Sequence, residues 1–161
     1  MIIDSVYVQN FRSYGDSIIH LPHSGLILID GQNGAGKSSI VSAAVLWCLY
    51  GEAPDGVGIK ELRRQNAPDS EPTSVTVTLH IDGREVVVNR SLKGKNLTTM
   101  AEVTVDGTPM TDVKSGAATT FVEELLGVDA TGFKTAYLVQ QKSLDSLVRQ
   151  TAAVRKKTIE R

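Results

Sequence analysis

Nine residues, GQNGAGKSS from Gly31 to Ser39, have the types and spacing of a phosphate cradle. Gly31, Gly34 and Gly36 let the backbone turn tightly and bring N–H groups up to phosphate oxygens. A helix starting at the end of the loop adds its partial positive charge. Lys37 can then reach the β- and γ-phosphates, and the Ser38 hydroxyl can serve a Mg²⁺ ion. Asn33, Ala35 and Ser39 complete the stretch, so residues 33–39 are expected to line a bound nucleotide. The pattern speaks to binding and not to reaction type, because kinases, GTPases, transporters and DNA-repair machines all use it.

The cradle needs a strand before it and a helix after it. Leu26–Asp30 is a compact apolar run between glycines, which predicts a buried strand. From Lys37 the apolar positions Ile40, Ala43, Ala44, Leu46, Trp47 and Tyr50 recur every three to four residues and predict a helix ending near Gly51. Trp47, Cys48 and Tyr50 on that helix read as packing residues. Upstream, Met1–Phe11 and Ser17–Leu21 read as strands. Downstream, Glu52–Ser74 is loop-rich with a short basic helix at Ile59–Gln65. Val75–Ile81 and Glu85–Leu92 flank Asp82-Gly83, a two-residue hairpin signal, and Asp106-Gly107 repeats it after Glu102–Val105. Ala117–Leu126 is a helix stopping at Gly127, Ala136–Val139 a strand, and residues from Ser143 on a charged helix.

The chain has 161 residues, 41% of them apolar, which suits one domain with a buried core. A formal net charge of -1 places any nucleic-acid contact on local patches, not on an overall polycation. One cysteine, Cys48, excludes an internal disulfide and suits a reducing compartment. No signal-peptide pattern and no membrane-length apolar run is present. A soluble protein of the cytoplasm, or of the nucleus in a eukaryote, is expected.

QNFRSYG, GQNGAGKSS, CLYGEAP, NRSLKG and AYLVQQKSLDSL occur in that order. Together they resemble the N-terminal half of the ATPase head of SMC-like double-strand-break repair proteins, the SbcC type and its archaeal and eukaryotic counterparts. RecF, RecN and true SMC heads share N-F-[RK] and the cradle, but L-Y-G and R-x-L-K-G favour the SbcC-like branch. The resemblance implies an α/β P-loop NTPase fold, the N-terminal lobe of an ABC-type head, with an appended antiparallel β layer. It implies ATP and Mg²⁺ as cofactors, with Lys37 and Ser38 as phosphate lysine and Mg²⁺ ligand. Arg12, followed by Ser13, matches an arginine beside the phosphates. Gln141 matches the glutamine that touches Mg²⁺ and the attacking water, although Lys142 stands where the family has glycine and Gln140 is the neighbouring alternative.

ATP hydrolysis by such a head also needs an apolar strand ending in Asp-Glu and a Ser-Gly-Gly signature, and neither is in these residues. In the resembling family they lie in a C-terminal half beyond a long coiled coil. Residues 1–148 are therefore expected to be the N-terminal half-head and 149–161 the root of the coil. The implied partners are that C-terminal half, a second head, a nuclease subunit of the SbcD type, and DNA, with no membrane. The rival readings are another SMC, RecN or RecF-like head, a small P-loop kinase lacking an obvious lid, and a half-head that binds without turnover. Arg63, Arg64, Arg84, Arg90, Lys93 and Lys95 are candidates for a DNA-facing patch, against the plainer reading of a solvated hairpin face. Arg149, Arg155, Lys156, Lys157 and Arg161 line the last helix and read as a solvated face, with DNA contact at the root of the coil as the alternative. His20, His23 and His80 have no cysteine or carboxylate cluster near them in sequence, so no metal site is expected from them.

Overall fold

The period-two alternation of apolar and polar residues is obeyed along the strands, and it builds one antiparallel sheet in the computed structural model, which describes residues 1–54, 57–112 and 114–138. The strands are β1 (Ile2–Phe11), β2 (Tyr14–His20), β3 (Thr73–Ile81), β4 (Arg84–Lys93), β5 (Thr98–Val105) and β6 (Thr108–Pro109), in the order β2-β1-β3-β4-β5-β6. Val6 and Val8, Val75, Val77 and Leu79, Val86 and Val88, and Ala101, Val103 and Val105 are buried. Between them Tyr7, Gln9, Thr76, Thr78, Asn89 and Glu102 remain half-exposed, and Asn89 donates across the strand pair to Thr76 Oγ1 at 2.8 Å. An apolar inner face and a polar outer face follow directly.

Both Asp-Gly pairs make the hairpins expected of them. Asp82 and Gly83 both have positive φ, 51° and 79°, and Asp106 and Gly107 have 49° and 77°. That pairing matches the right-handed twist of the flanking strands. The two turns are tied together by Arg84 Nε donating to Asp106 Oδ2 at 3.1 Å.

The helix after the cradle begins with a π-helical turn, Ser39–Ala43, and continues as α1 (Ala44–Tyr50). Every residue of α1 is buried, Trp47 and Cys48 at 0% exposure, and the helix packs on β1, β3 and β4. Trp47 stacks on Phe11 with ring centroids 5.7 Å apart. The Cys48 S–H donates to the carbonyls of Val88 and Val75 at 3.1 and 3.3 Å. Burial pushes this thiol up to about 12, so it is a packing residue, not a nucleophile. The helix α2 (Ser115–Leu126) lies against α1 and β5 and buries Ala118 and Val122. Both helices stop at left-handed glycines, Gly51 and Gly127, as their positions in the sequence predict.

Three expectations change. Ile59–Gln65 is only a 3₁₀ turn over Ile59–Leu62. Ala136 ends a helix, α3 (Ala130–Ala136), and Tyr137 and Leu138 are not in a strand. Leu26–Asp30 belongs to no strand or helix: Leu26 is 101% exposed and Leu28 88%. Its apolar composition is that of a strand buried on both faces, and no strand of the sheet described here lies beside it. The chain divides into two units, residues 1–130 and 131–161. Of the second, the described part holds Phe133 stacked on Tyr137, centroids 5.1 Å apart.

Candidate functional site

The cradle loop is an exposed turn held open by its own backbone. Ala35 N–H donates to Gln32 O at 3.2 Å, and Ser39 and Ile40 N–H both donate to Gly36 O, at 2.8 and 3.2 Å. Gly34, at φ 81°, takes the left-handed conformation that favours glycine, with open space where a Cβ would stand. Lys37 folds back over the loop and donates to the carbonyls of Gly31 and Gln32, the latter at 2.8 Å. An arriving phosphate would exchange these neutral acceptors for charged oxygens, which make stronger hydrogen bonds to an ammonium. Asn33, Gly34, Ala35 and Ser38 are exposed, and Ser39, half-buried, opens the helix. The π-helical turn at this end leaves Ala44 N–H donating to Ser39 O, a widened winding that recurs at functional sites.

Arg12 and Ser13 form the two-residue turn between β1 and β2, where Phe11 pairs with Tyr14. Arg12 sits at φ 50° and Asn10 at φ 48°, costly for an arginine unless the surroundings over-determine it. They do. The Asn10 amide donates to Glu71 Oε2 at 2.9 Å and to Pro72 O at 3.2 Å. Arg12 N–H donates to Leu62 O at 2.7 Å, and Arg64 N–H to Asn10 O at 2.8 Å. Tyr14 then brings this turn to the cradle. Its hydroxyl reaches Ala35 O at 3.5 Å, and a Cβ on Gly36 would stand 2.9 Å from the Tyr14 ring. Gly36, at φ 93°, thus meets both a backbone and a contact requirement for glycine. Within QNFRSYG nothing in the sequence marks Tyr14; only the folded contact gives it a role. Gln141, its alternative Gln140 and the basic residues from Arg149 onward lie outside the described residues.

The basic-patch candidates separate. Arg90 is 1% exposed and points inward: Nε donates to Cys48 O at 2.9 Å, and Nη2 to Leu49 O at 3.3 Å and Thr119 Oγ1 at 2.9 Å. It caps the carbonyl end of α1, where a cation also meets the negative pole of the helix dipole. Arg63 clamps its own loop, donating to the carbonyls of Glu71, Pro68 and Ala67 and to Thr73 Oγ1. Neither faces DNA. Lys93 and Lys95 stay exposed, as does Arg84, paired with Asp106.

The residues of the loop fit a Mg²⁺–nucleotide: the Lys37 ammonium over the loop suits phosphate oxygens, and the exposed Ser38 next to it carries a hydroxyl of the type a Mg²⁺ ion takes. Ser38→Ala is expected to weaken nucleotide binding about tenfold with Mg²⁺ present and little without it, the loss of one charge-assisted contact. Titration with an ATP analogue with and without Mg²⁺ is the check; equal loss in both would overturn the metal role.

A chain from the structural biochemistry of ATP-driven dimerization and DNA-stimulated activation of SMC ATPases superposes with a TM-score of 0.72. The superposition covers 99% of this chain and 98% of that one at 21% identity. The recombination mediator protein RecF bound to ATP superposes at 0.56 over 70% of this chain and 28% of its own, at 22% identity. Fold and cradle together define the N-terminal lobe of an ABC-type P-loop NTPase head carrying an antiparallel β layer. A family model described as AAA domain matches residues 5–160, and the chain belongs to that family. It is 31% identical over 165 residues to the DNA double-strand break repair Rad50 ATPase of Thermoplasma volcanium, covering 99% of this chain and 17% of that protein. It is 32% identical over 149 residues to the Archaeoglobus fulgidus protein of the same name, covering 92% and 15%. The chain thus spans less than a fifth of the length of these relatives.

Proposed function

We propose that this chain is the ATP- and Mg²⁺-binding N-terminal half of the ATPase head of an SMC-like DNA repair protein. That protein would work with a nuclease subunit on DNA ends. The observation that carries the reading is Tyr14, at the end of the β1–β2 turn, seated against the glycine loop at Ala35 and Gly36, which supports a role for that turn and its Arg12 at the nucleotide. The solvent-exposed Leu26–Asp30 run supports completion by a second segment: apolar side chains left in solvent on the approach to the cradle are a seat for further structure. In the complete head, Lys37 and Arg12 would hold the phosphates and Ser38 the metal, with Gln141 joining Mg²⁺ and the attacking water. The bound Mg²⁺ would neutralise charge developing on the γ-phosphoryl group. Two such heads would sandwich two nucleotides, and the closed pair would control DNA access for the nuclease.

ATPase turnover tests this. The chain alone is expected to bind ATP and turn over negligibly. Adding the C-terminal half should produce DNA-stimulated hydrolysis, cut on the order of a hundredfold by Gln141→Ala at unchanged ATP affinity. Phosphate transfer to a metabolite by the chain alone would favour a kinase instead. If Gln140→Ala carries the loss and Gln141→Ala does not, the glutamine is Gln140.

A further inference from the structure

Far from one another in sequence, Asp4, His23 and His80 meet on the outer face of the sheet. Asp4 stands at the register shift between Ile3 and Ser5, where β1 carries an extra residue against β3. Such a bulge bends its strand and re-aims a side chain. His80, opposite Ile2, comes from the far end of β3. His23 follows β2, on a connection anchored by Leu21 N–H donating to Asp4 O at 2.7 Å. His23 Nε2 lies 2.8 Å from Asp4 Oδ1, and the His23 and His80 rings are 5.3 Å apart and tilted by 56°. One ligand atom from each of the three residues lies within 4.8 Å of the other two.

We propose that Asp4, His23 and His80 form a binding site for a borderline divalent transition metal of the Zn²⁺ type. Two imidazoles and one carboxylate are a ligand set that Zn²⁺ takes, with a fourth position left for water. Mg²⁺ and Ca²⁺ prefer oxygen ligands throughout, so the set discriminates against the ion expected at the cradle. Zn²⁺ at about 2.0–2.1 Å from each donor holds tetrahedral ligand atoms about 3.3 Å apart. A modest rotation of side chains that are exposed (His23) or half-buried (Asp4, His80) closes the present spacing. The hydrogen bond from His23 holds the Asp4 carboxyl below the usual carboxylate range. His20 also acts on Asp4 electrostatically but stands outside the ligand cluster. Bound metal would pin the connection leading from β2 towards the cradle to β1 and β3, and so staple three separate segments of the chain.

The test is titration of the untagged chain with Co²⁺ alone, in excess Mg²⁺ and without nucleotide, followed by displacement with Zn²⁺. One Co²⁺ per chain is expected, with the visible absorption of a low-coordinate site and at least a tenfold loss of affinity in His23→Ala and in His80→Ala. Zn²⁺ should raise Tm in the parent chain and not in these variants. His20→Ala should bind as the parent does. His23 is exposed on a connection, so its variant keeps the fold and the test stands even if His80→Ala does not fold. No binding below about 0.1 mM, an affinity indifferent to His23→Ala, or an equal loss in His20→Ala would overturn the site.

Discussion

Lys37→Ala is expected to lower affinity for Mg²⁺–ATP by about a hundredfold or more while leaving the fold intact. The ammonium stands over the loop on two backbone carbonyls, those of Gly31 and Gln32, and these belong to exposed residues. Removing it leaves acceptors that water can satisfy, so stability changes little. For nucleotide the balance is different. Two charge-assisted contacts to phosphate contribute roughly 1.5 kcal/mol or more each, and about 3 kcal/mol is two decades of affinity. Arg12 cannot replace it: its backbone is locked at φ 50° by the Leu62 carbonyl, on a separate turn. Calorimetric titration with a non-hydrolysable ATP analogue is the measurement. Undiminished affinity in a folded variant would remove Lys37 from the site.

Arg90→Met should be the most destabilising change on the sheet, at about 3 kcal/mol, or roughly 10 °C in Tm for a chain of this size. Methionine keeps much of the apolar stem but leaves the carbonyls of Cys48 and Leu49 without their donor, at the buried end of α1. Thr119 on α2 loses its bond as well, so the change reaches both helices. Among the described residues no carboxylate pairs with Arg90; its charge is met by carbonyl dipoles and the end of the helix. The same guanidinium would lie 3.1 Å from a Cβ at Gly51, whose φ of 74° already requires glycine. Thermal melts of Arg90→Met, Arg90→Lys and Thr119→Val separate charge from geometry. Lysine should recover only part of the loss, because it cannot serve three acceptors on two helices in one plane. A drop in DNA affinity with no drop in Tm would return Arg90 to the surface reading.

What the sequence determined by itself was local. The turn at Gly31–Ser39 was legible because its glycines act through backbone geometry within one short loop, Gly31, Gly34 and Gly36 all taking positive φ. The Asp-Gly turns and the stops at Gly51 and Gly127 were legible for the same reason, since positive φ is a requirement of the residue and its immediate neighbours. The strands at Val75–Ile81 and Glu85–Leu92 were legible because one face of the sheet is covered and the other is polar, which imposes the alternation on the chain. Tertiary structure decided the rest. Leu26–Asp30 has the composition of a buried strand, but a strand needs a neighbour to pair with, and none stands beside it in this sheet. Arg90 reads as one more cation in a basic hairpin until α1 is laid across β4 and its terminal carbonyls need a donor. Tyr14 acquires its contact with Gly36 only when the β1–β2 turn is folded against the cradle. Asp4, His23 and His80 have no mutual signal in the chain, because a bulge, a cross-strand register and a loop anchor were each required to bring them together. Such juxtapositions depend on contacts between segments far apart in the chain, which no periodicity or spacing encodes.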